Sequence, residues 1–371
     1  MKITILQGAF LPVPPVLGGG AEKMWYALSK EFAGRGHEVV YVSRSYPGTP
    51  KEERLDGVLH KRVPGYNSPS MGLYLKWLDL LYTIRAKSVI PGDSDIIVTN
   101  TFWAPILLPI ALRRKCMVDV ARMPKGQMRL YSHSRLRGNS TPVAKAIQSE
   151  LPSKQHRRIL MIPNPLPFVS PLQVEFASKQ PILLYTGRVH PEKGIGLLIN
   201  SFKMLNTDWK LQIIGSAEVR AGGAGVQYLH SLKKLAEGHD VEFVGAVNDI
   251  EKLNKYYSTA SIFVYPSLAE KGETFGLAPL EAMAWGCVPI VSNLSCFHDF
   301  IINETNGLIF NHRSDNSAAL LAKAIEQLQN DGSLRLKLAE SALGVQESHS
   351  TSYIAQQFLD EFDKILAENK N

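Results

Sequence analysis

The 371-residue sequence contains no apolar run approaching the roughly 20 residues that a membrane-spanning helix needs. Met1-Lys2 leads straight into Ile3-Thr4-Ile5-Leu6, the pattern of a first strand rather than of a signal peptide. The expected location is the cytoplasm, free or peripheral to the inner face of a membrane. Cysteine is scarce: Cys116, Cys287 and Cys296 are odd in number and lack metal or redox spacing, which excludes a disulfide framework and predicts reduced core residues. The ten histidines offer no close ligand pair, so no metal is expected. Asp93-Ser94-Asp95 precedes a strand and reads as a turn. Low-complexity tracts and solenoid repeats are also missing. A net charge of +7 asks for anionic partners such as nucleotide phosphates or an anionic lipid surface. No nucleic-acid-recognition motif accompanies that charge, so nucleic acid is not an expected partner.

What is present is the composition of a globular protein, 45% hydrophobic and 20% charged, in a chain long enough for two cores. Strand-like apolar runs alternate with helix-period segments from end to end, the signature of an α/β fold with parallel sheets. In the first half, strands are expected at 3–7, 39–43, 95–99 and 117–121. Helices are expected from Ala21, with Met24, Trp25, Leu28 and Phe32 on one face, and at 140–150. The segment Ile162-Pro163-Asn164-Pro165-Leu166-Pro167, continuing to Lys179, is proline-rich and aperiodic, as a linker is. A second series follows, with strands at 182–186, 211–214, 241–244, 262–265 and 288–291. The expected organisation is residues 1–165, 166–350, and a C-terminal helix segment 351–371 that returns to the first domain through Ile354, Phe358, Phe362 and Leu366.

Three segments carry the chemistry. Glu273-Thr274-Phe275-Gly276-Leu277-Ala278-Pro279-Leu280-Glu281 lies just beyond the strand ending at Tyr265, and ligands bind at that end of a parallel strand. A helix starting near Gly276 separates Glu273 and Glu281 by on the order of 10 Å, the reach from a donor sugar to its ribose. The amides of Phe275, Gly276 and Leu277 then face a diphosphate at the helix N-terminus. Gly187-Arg188-Val189-His190-Pro191-Glu192-Lys193-Gly194 supplies two cations, Arg188 and Lys193, where charge develops on a departing diphosphate. Leu17-Gly18-Gly19-Gly20-Ala21-Glu22 allows close approach of backbone to ligand, but Lys23 stands where a dinucleotide fingerprint needs its third glycine.

With these segments and the Asn306-Gly307-Leu308 turn, the chain resembles the family-4 retaining glycosyltransferases of the GT-B fold over essentially its full length. The resemblance implies two Rossmann-like α/β domains, an acceptor-side one and a nucleotide-sugar-binding one, with an inter-domain cleft. It implies that Glu273 contacts donor-sugar hydroxyls, Glu281 binds the ribose, and Arg188 and Lys193 hold the diphosphate with the amides of Gly276 and Leu277. Gly19 and Gly20 close over the donor. Val247 is the expected base contact. Many relatives carry a histidine after a first-domain strand; here the comparable stretch contains Arg122 and Lys125, which stand as donor or acceptor contacts.

The activity expected is metal-independent, cofactor-free transfer of a hexose-type sugar with retention. The donor is a nucleotide sugar, UDP-linked first, and the acceptor a saccharide, lipid-linked or small-molecule hydroxyl. The competing readings are a GT-B-like sugar phosphorylase or epimerase, and a non-catalytic nucleotide-sugar-binding protein. Glu273→Ala is expected to abolish transfer with the fold nearly intact, and Glu281→Ala to weaken nucleotide binding. Residues 71–89, with Leu73, Trp77, Leu80, Leu81 and Ile84 beside Lys76, Arg85 and Lys87, read as an amphipathic helix whose apolar face meets the core, or a membrane if the acceptor is lipid-linked.

Overall fold

Near-continuous apolar runs form strands buried on both faces, as parallel sheets covered by helices require. A computed structural model describes residues 1–69 and 71–370; Asn371, the last residue of the expected C-terminal segment, lies outside the described residues. The strands of the first half are β1 (Lys2–Leu6), β2 (Glu38–Arg44), β3 (Glu52–Leu55), β4 (Val58–Val63), β5 (Ile96–Thr99), β6 (Cys116–Val120), β7 (Arg135–Gly138) and β8 (Ile159–Met161). They form one sheet in the order β3-β4-β2-β1-β5-β6-β7-β8, parallel except for the antiparallel β3–β4 pair at one edge. The second half contributes β9 (Gln180–Thr186), β10 (Lys210–Ile214), β11 (Val241–Gly245), β12 (Ala260–Tyr265), β13 (Val288–Ser292) and β14 (Leu308–Phe310). These form a parallel sheet in the order β11-β10-β9-β12-β13-β14.

Two compact units result: Met1–Pro167 with the chain from Thr351, and Phe168–Ser350. The helix Thr351–Lys370 belongs to the first unit because its apolar face covers the helix Gly20–Gly34. Trp25 meets Phe358 at 5.0 Å and Phe32 meets Phe362 at 5.9 Å between ring centroids, while Arg135 bonds Glu361 at 2.8 Å. Cys116, Cys287 and Cys296 are free and buried. Asp93 pairs with Lys2 at 3.0 Å.

Five strands escaped the sequence pattern. The β3–β4 hairpin turns on Asp56-Gly57, a two-residue hairpin signal between runs too charged to read as strands. β7 reads Arg-Leu-Arg-Gly, yet all four residues are buried. Arg137 donates to Asp119 at 2.5 Å, to the Ile162 carbonyl at 2.7 Å and to Asn164 at 2.8 Å, which satisfies a guanidinium inside the sheet. β8 and β14 are three residues each, too short for a period to show.

In the second unit's core, His349 packs on Phe275 and Phe300, and burial pushes its imidazole down to about 4. Its neutral form contributes stability fully present above the ordinary histidine range, lost as pH falls from about 6.5 towards 4. Replacing it with Phe is therefore expected to favour the variant over wild type by about 2 kcal/mol more at pH 5 than at pH 7.5. Denaturant unfolding of both proteins at the two pH values reads this directly; an unchanged difference would exclude His349 as the titrating group.

Candidate active site

In the second unit the chain runs outward from β9 through β10 to β11, then returns to lay β12 on the other side of β9. Connections leave the carboxyl ends of β9 and β12 in opposite directions, and such a switch point leaves a crevice for ligands. Both motif loops begin there. Tyr185 and Tyr265, at these strand ends, stack with centroids 5.7 Å apart and planes 11° from parallel. The loops are joined by the Leu268 amide donating to the Glu192 carbonyl at 2.7 Å. Gly194 lets them close: at φ +70, a Cβ there would sit 2.0 Å from the Pro266 carbonyl oxygen.

This closure brings Lys193 Nζ to 2.7 Å from Glu273 Oε2, with both side chains largely buried. The ammonium also lies 5.3 Å from the Tyr265 ring centroid. Tyr265 hydrogen-bonds Glu273; burial first, and then that carboxylate, hold its phenol well above the usual range, so it is a permanent O–H donor. Arg188 is less enclosed. Its guanidinium donates to Glu192 at 2.8 Å and to the Gly222 carbonyl at 2.7 Å.

Gly276 precedes the helix Leu277–Ala284 at φ +93, where a Cβ would come within 2.5 Å of the Phe297 ring. The first-turn amides have no intrahelical acceptor, and Pro279 occupies a first-turn position where a missing N–H costs least. Phe275 is committed to the core by its ring, 5.2 Å from Phe300, leaving its backbone as its polar part. Glu281 is buried in the helix's second turn, and its Oε2 accepts from the Tyr257 hydroxyl at 3.0 Å. Tyr257 in turn bonds Thr186 Oγ1 at 2.7 Å, tying Glu281 to the end of β9. Val247 is half-buried just past the carboxyl end of β11, two strands from β9.

The remaining expected residues sit in the first unit, on the carboxyl-end loops of its own sheet. Gly19, at φ +102, precedes the helix that begins at Gly20. The following Glu22 is buried and accepts from Gln7 at 3.0 Å; Gln7 accepts from Tyr41 at 3.1 Å. Burial raises the Glu22 carboxyl above the usual range, opposed in part by the positive charge of Arg122. Arg122 and Lys125 are both exposed in the loop after β6.

Family models match both halves of the chain, glycosyl transferases group 1 over residues 171–344 and glycosyltransferase family 4 over residues 18–162. An uncharacterized glycosyltransferase of Methanocaldococcus jannaschii is 31% identical over 99% of each chain. The chain belongs to the family-4 glycosyltransferases of the GT-B fold. Among solved structures, this glycosyltransferase resembles sucrose-phosphate synthase of Thermosynechococcus elongatus with a TM-score of 0.79 and 20% identity, covering 99% of this chain and 100% of that one. Anabaena HepE in complex with UDP-glucose follows at 0.73 and 16% identity, covering 98% and 100%. These two likenesses concern the fold.

Three tyrosines of the glycosyltransferase were missed in the sequence. Tyr185 is the penultimate residue of β9 and Tyr265 the last of β12, and a tyrosine near the end of each strand that leads into a motif loop was a usable signal. Tyr257 sits on a different helix, Ile250–Thr259, and only strand adjacency brings it to Glu281. One expectation does not fit this geometry, that Glu273→Ala leaves the fold nearly intact: Glu273 is the counter-charge of a largely buried ammonium, so truncating it to Ala strands Lys193 and is expected to cost stability.

Proposed function

We propose that this glycosyltransferase moves a hexose-type sugar from a nucleotide-sugar donor, a UDP-sugar first, to a hydroxyl acceptor with retention and without a metal. The observation that carries this reading is the Lys193–Glu273 pair beside Arg188 at the switch point of the second sheet. The diphosphate is held by Arg188, Lys193 and the amides at Phe275, Gly276 and Leu277. Glu273 binds sugar hydroxyls, Glu281 the ribose, and Val247 the base. As the bond from the anomeric carbon to the diphosphate breaks, negative charge grows on the leaving oxygen, and the two fixed cations stabilise it. The acceptor oxygen attacks from the same face and its proton passes to the departing phosphate. Gly19 and Gly20 close over the donor, and Arg122 and Lys125 contact the acceptor or the donor sugar. The UDP-glucose complex of HepE supports testing UDP-sugars first.

A thermal-shift panel of UDP, GDP and ADP with their common sugars tests donor choice, because a ligand bound only by the folded state raises the unfolding temperature. A selective rise with UDP or its sugars, followed by an NMR-observed product of unchanged anomeric configuration, is expected. A requirement for inorganic phosphate would instead make the protein a phosphorylase. Tyr257→Phe tests the ribose contact: without the Tyr257 hydroxyl, Glu281 loses an orienting donor, and nucleotide affinity is expected to fall about tenfold, 1.4 kcal/mol, with kcat nearly unchanged. Calorimetry with the nucleotide alone measures it; equal affinities would remove Glu281 from the ribose site.

A further inference from the structure

The helix Gly72–Lys87 buries a mixed face and leaves an apolar stripe outside. Its buried side consists of Leu78, Asp79, Tyr82, Thr83 and Ala86, two of them strongly polar. Asp79 accepts from the Phe102 amide at 3.0 Å, and burial lifts its carboxyl to about 6. The Trp103 indole donates to the Lys76 carbonyl at 2.7 Å, further fixing the helix's rotation. Six further apolar or aromatic residues share the outer side: Leu73 is 82% exposed, Trp77 55%, Ile84 54% and Tyr74 52%, with Leu80 and Leu81 partly covered between them. At 100° per residue these six occupy an arc of about 120°. Scattered exposed apolar residues are ordinary; a continuous stripe on the outer side of one helix calls for an occupant.

Charge says which occupant. Lys76 and Lys87 border the stripe on one side and Arg85 on the other, and the helix's single carboxylate, Asp79, faces inward. The cations have neutral neighbours: Lys76 lies over the Phe102 ring at 4.5 Å, and Arg85 donates to the Tyr66 hydroxyl at 2.8 Å. Among the described residues none of the three forms an ion pair, so their charge is available. An apolar stripe carrying Trp and Tyr, bordered by cations on both sides, matches the boundary between acyl chains and anionic headgroups.

We propose that this helix seats the protein on an anionic membrane surface, with Leu73, Trp77 and Ile84 in the acyl boundary and Lys76, Arg85 and Lys87 against headgroup phosphates. This surface is built from different elements than the donor residues, and its binding is read without sugar transfer, so its failure leaves the donor reading standing. The test is flotation of the full chain with vesicles of phosphatidylcholine containing about 30% phosphatidylglycerol, compared with phosphatidylcholine alone. Wild type is expected to float with the anionic vesicles and to be released by high salt. Leu73→Glu with Trp77→Glu should lower partitioning about tenfold or more, with the same unfolding temperature because both side chains are exposed. Equal flotation of wild type and variant would overturn the proposal. So would a wild type that ignores anionic vesicles, including one that forms a dimer dissolved by the same substitutions, which would assign the stripe to a second copy of the chain.

Discussion

Replacing Glu273 by Gln is expected to lower kcat/KM at least a hundredfold, about 2.7 kcal/mol of transition-state stabilisation. The isostere keeps the side chain's shape and one acceptor oxygen, so steric explanations are removed. What it loses is the charge facing Lys193 at 2.7 Å and accepting from Tyr265. Two consequences should separate in the data. Transfer falls because the group proposed to hold the sugar hydroxyls changes charge. Stability falls by about 1–3 kcal/mol because a largely buried ammonium keeps only a neutral partner and the Tyr265 ring. Steady-state kinetics with a UDP-sugar and denaturant unfolding, run on the same preparation, measure both. Adding Lys193→Met should return most of the stability and none of the activity. A Glu273→Gln protein turning over at the wild-type rate would remove Glu273 from the mechanism.

The second large effect concerns stability alone. Arg137→Met should cost about 3–5 kcal/mol, because it leaves Asp119 buried without its guanidinium. Among the described residues Asp119 would keep only the Trp25 indole as a side-chain donor, at 2.7 Å, while the Ile162 carbonyl and Asn164 would each lose a donor. The guanidinium also stacks 5.4 Å from the Phe358 ring, so the substitution disturbs the seat of the C-terminal helix. The cycle with Asp119→Leu distinguishes a stranded charge from lost packing: the double variant should be more stable than Arg137→Met alone. Denaturant midpoints for the four proteins give the answer, and a single variant within about 1 kcal/mol of wild type would mean the pair does little for the fold.

The donor-side constellation was legible because its elements are local in sequence. A strand, a glycine and a helix start fall within a few residues at both Gly187–Gly194 and Glu273–Glu281, and parallel-strand geometry then places ligands at those turns. The pairing of Lys193 with Glu273 was not legible. Eighty residues separate them, and they meet because β12 returns to the side of β9 opposite β10, a choice of strand order that no local pattern encodes. The same order delivers Tyr257 to Glu281. In the first unit, β7 was hidden because the arginines that usually mark a solvated segment are satisfied here by Asp119, Asn164 and a carbonyl.

The helix Gly72–Lys87 shows the division most clearly. Spacing alone established a helix with Leu73, Trp77, Leu80, Leu81 and Ile84 along one side, because a 3.6-residue period fixes which residues share a face. Which face would be covered was a tertiary matter. Asp79 found the Phe102 amide and Trp103 found the Lys76 carbonyl, and with Leu78, Tyr82 and Ala86 buried beside Asp79 the Leu73–Trp77–Ile84 side is left outside. Sequence by itself therefore determined the alternating α/β elements, the glycine turns after β9 and β12 and the glycosyltransferase motifs, all of which depend on neighbours a few residues apart. Tertiary structure alone decided which charges meet, which tyrosines support them and which apolar stripe is left exposed, because these depend on strand order and helix rotation, set by contacts between residues far apart in the chain.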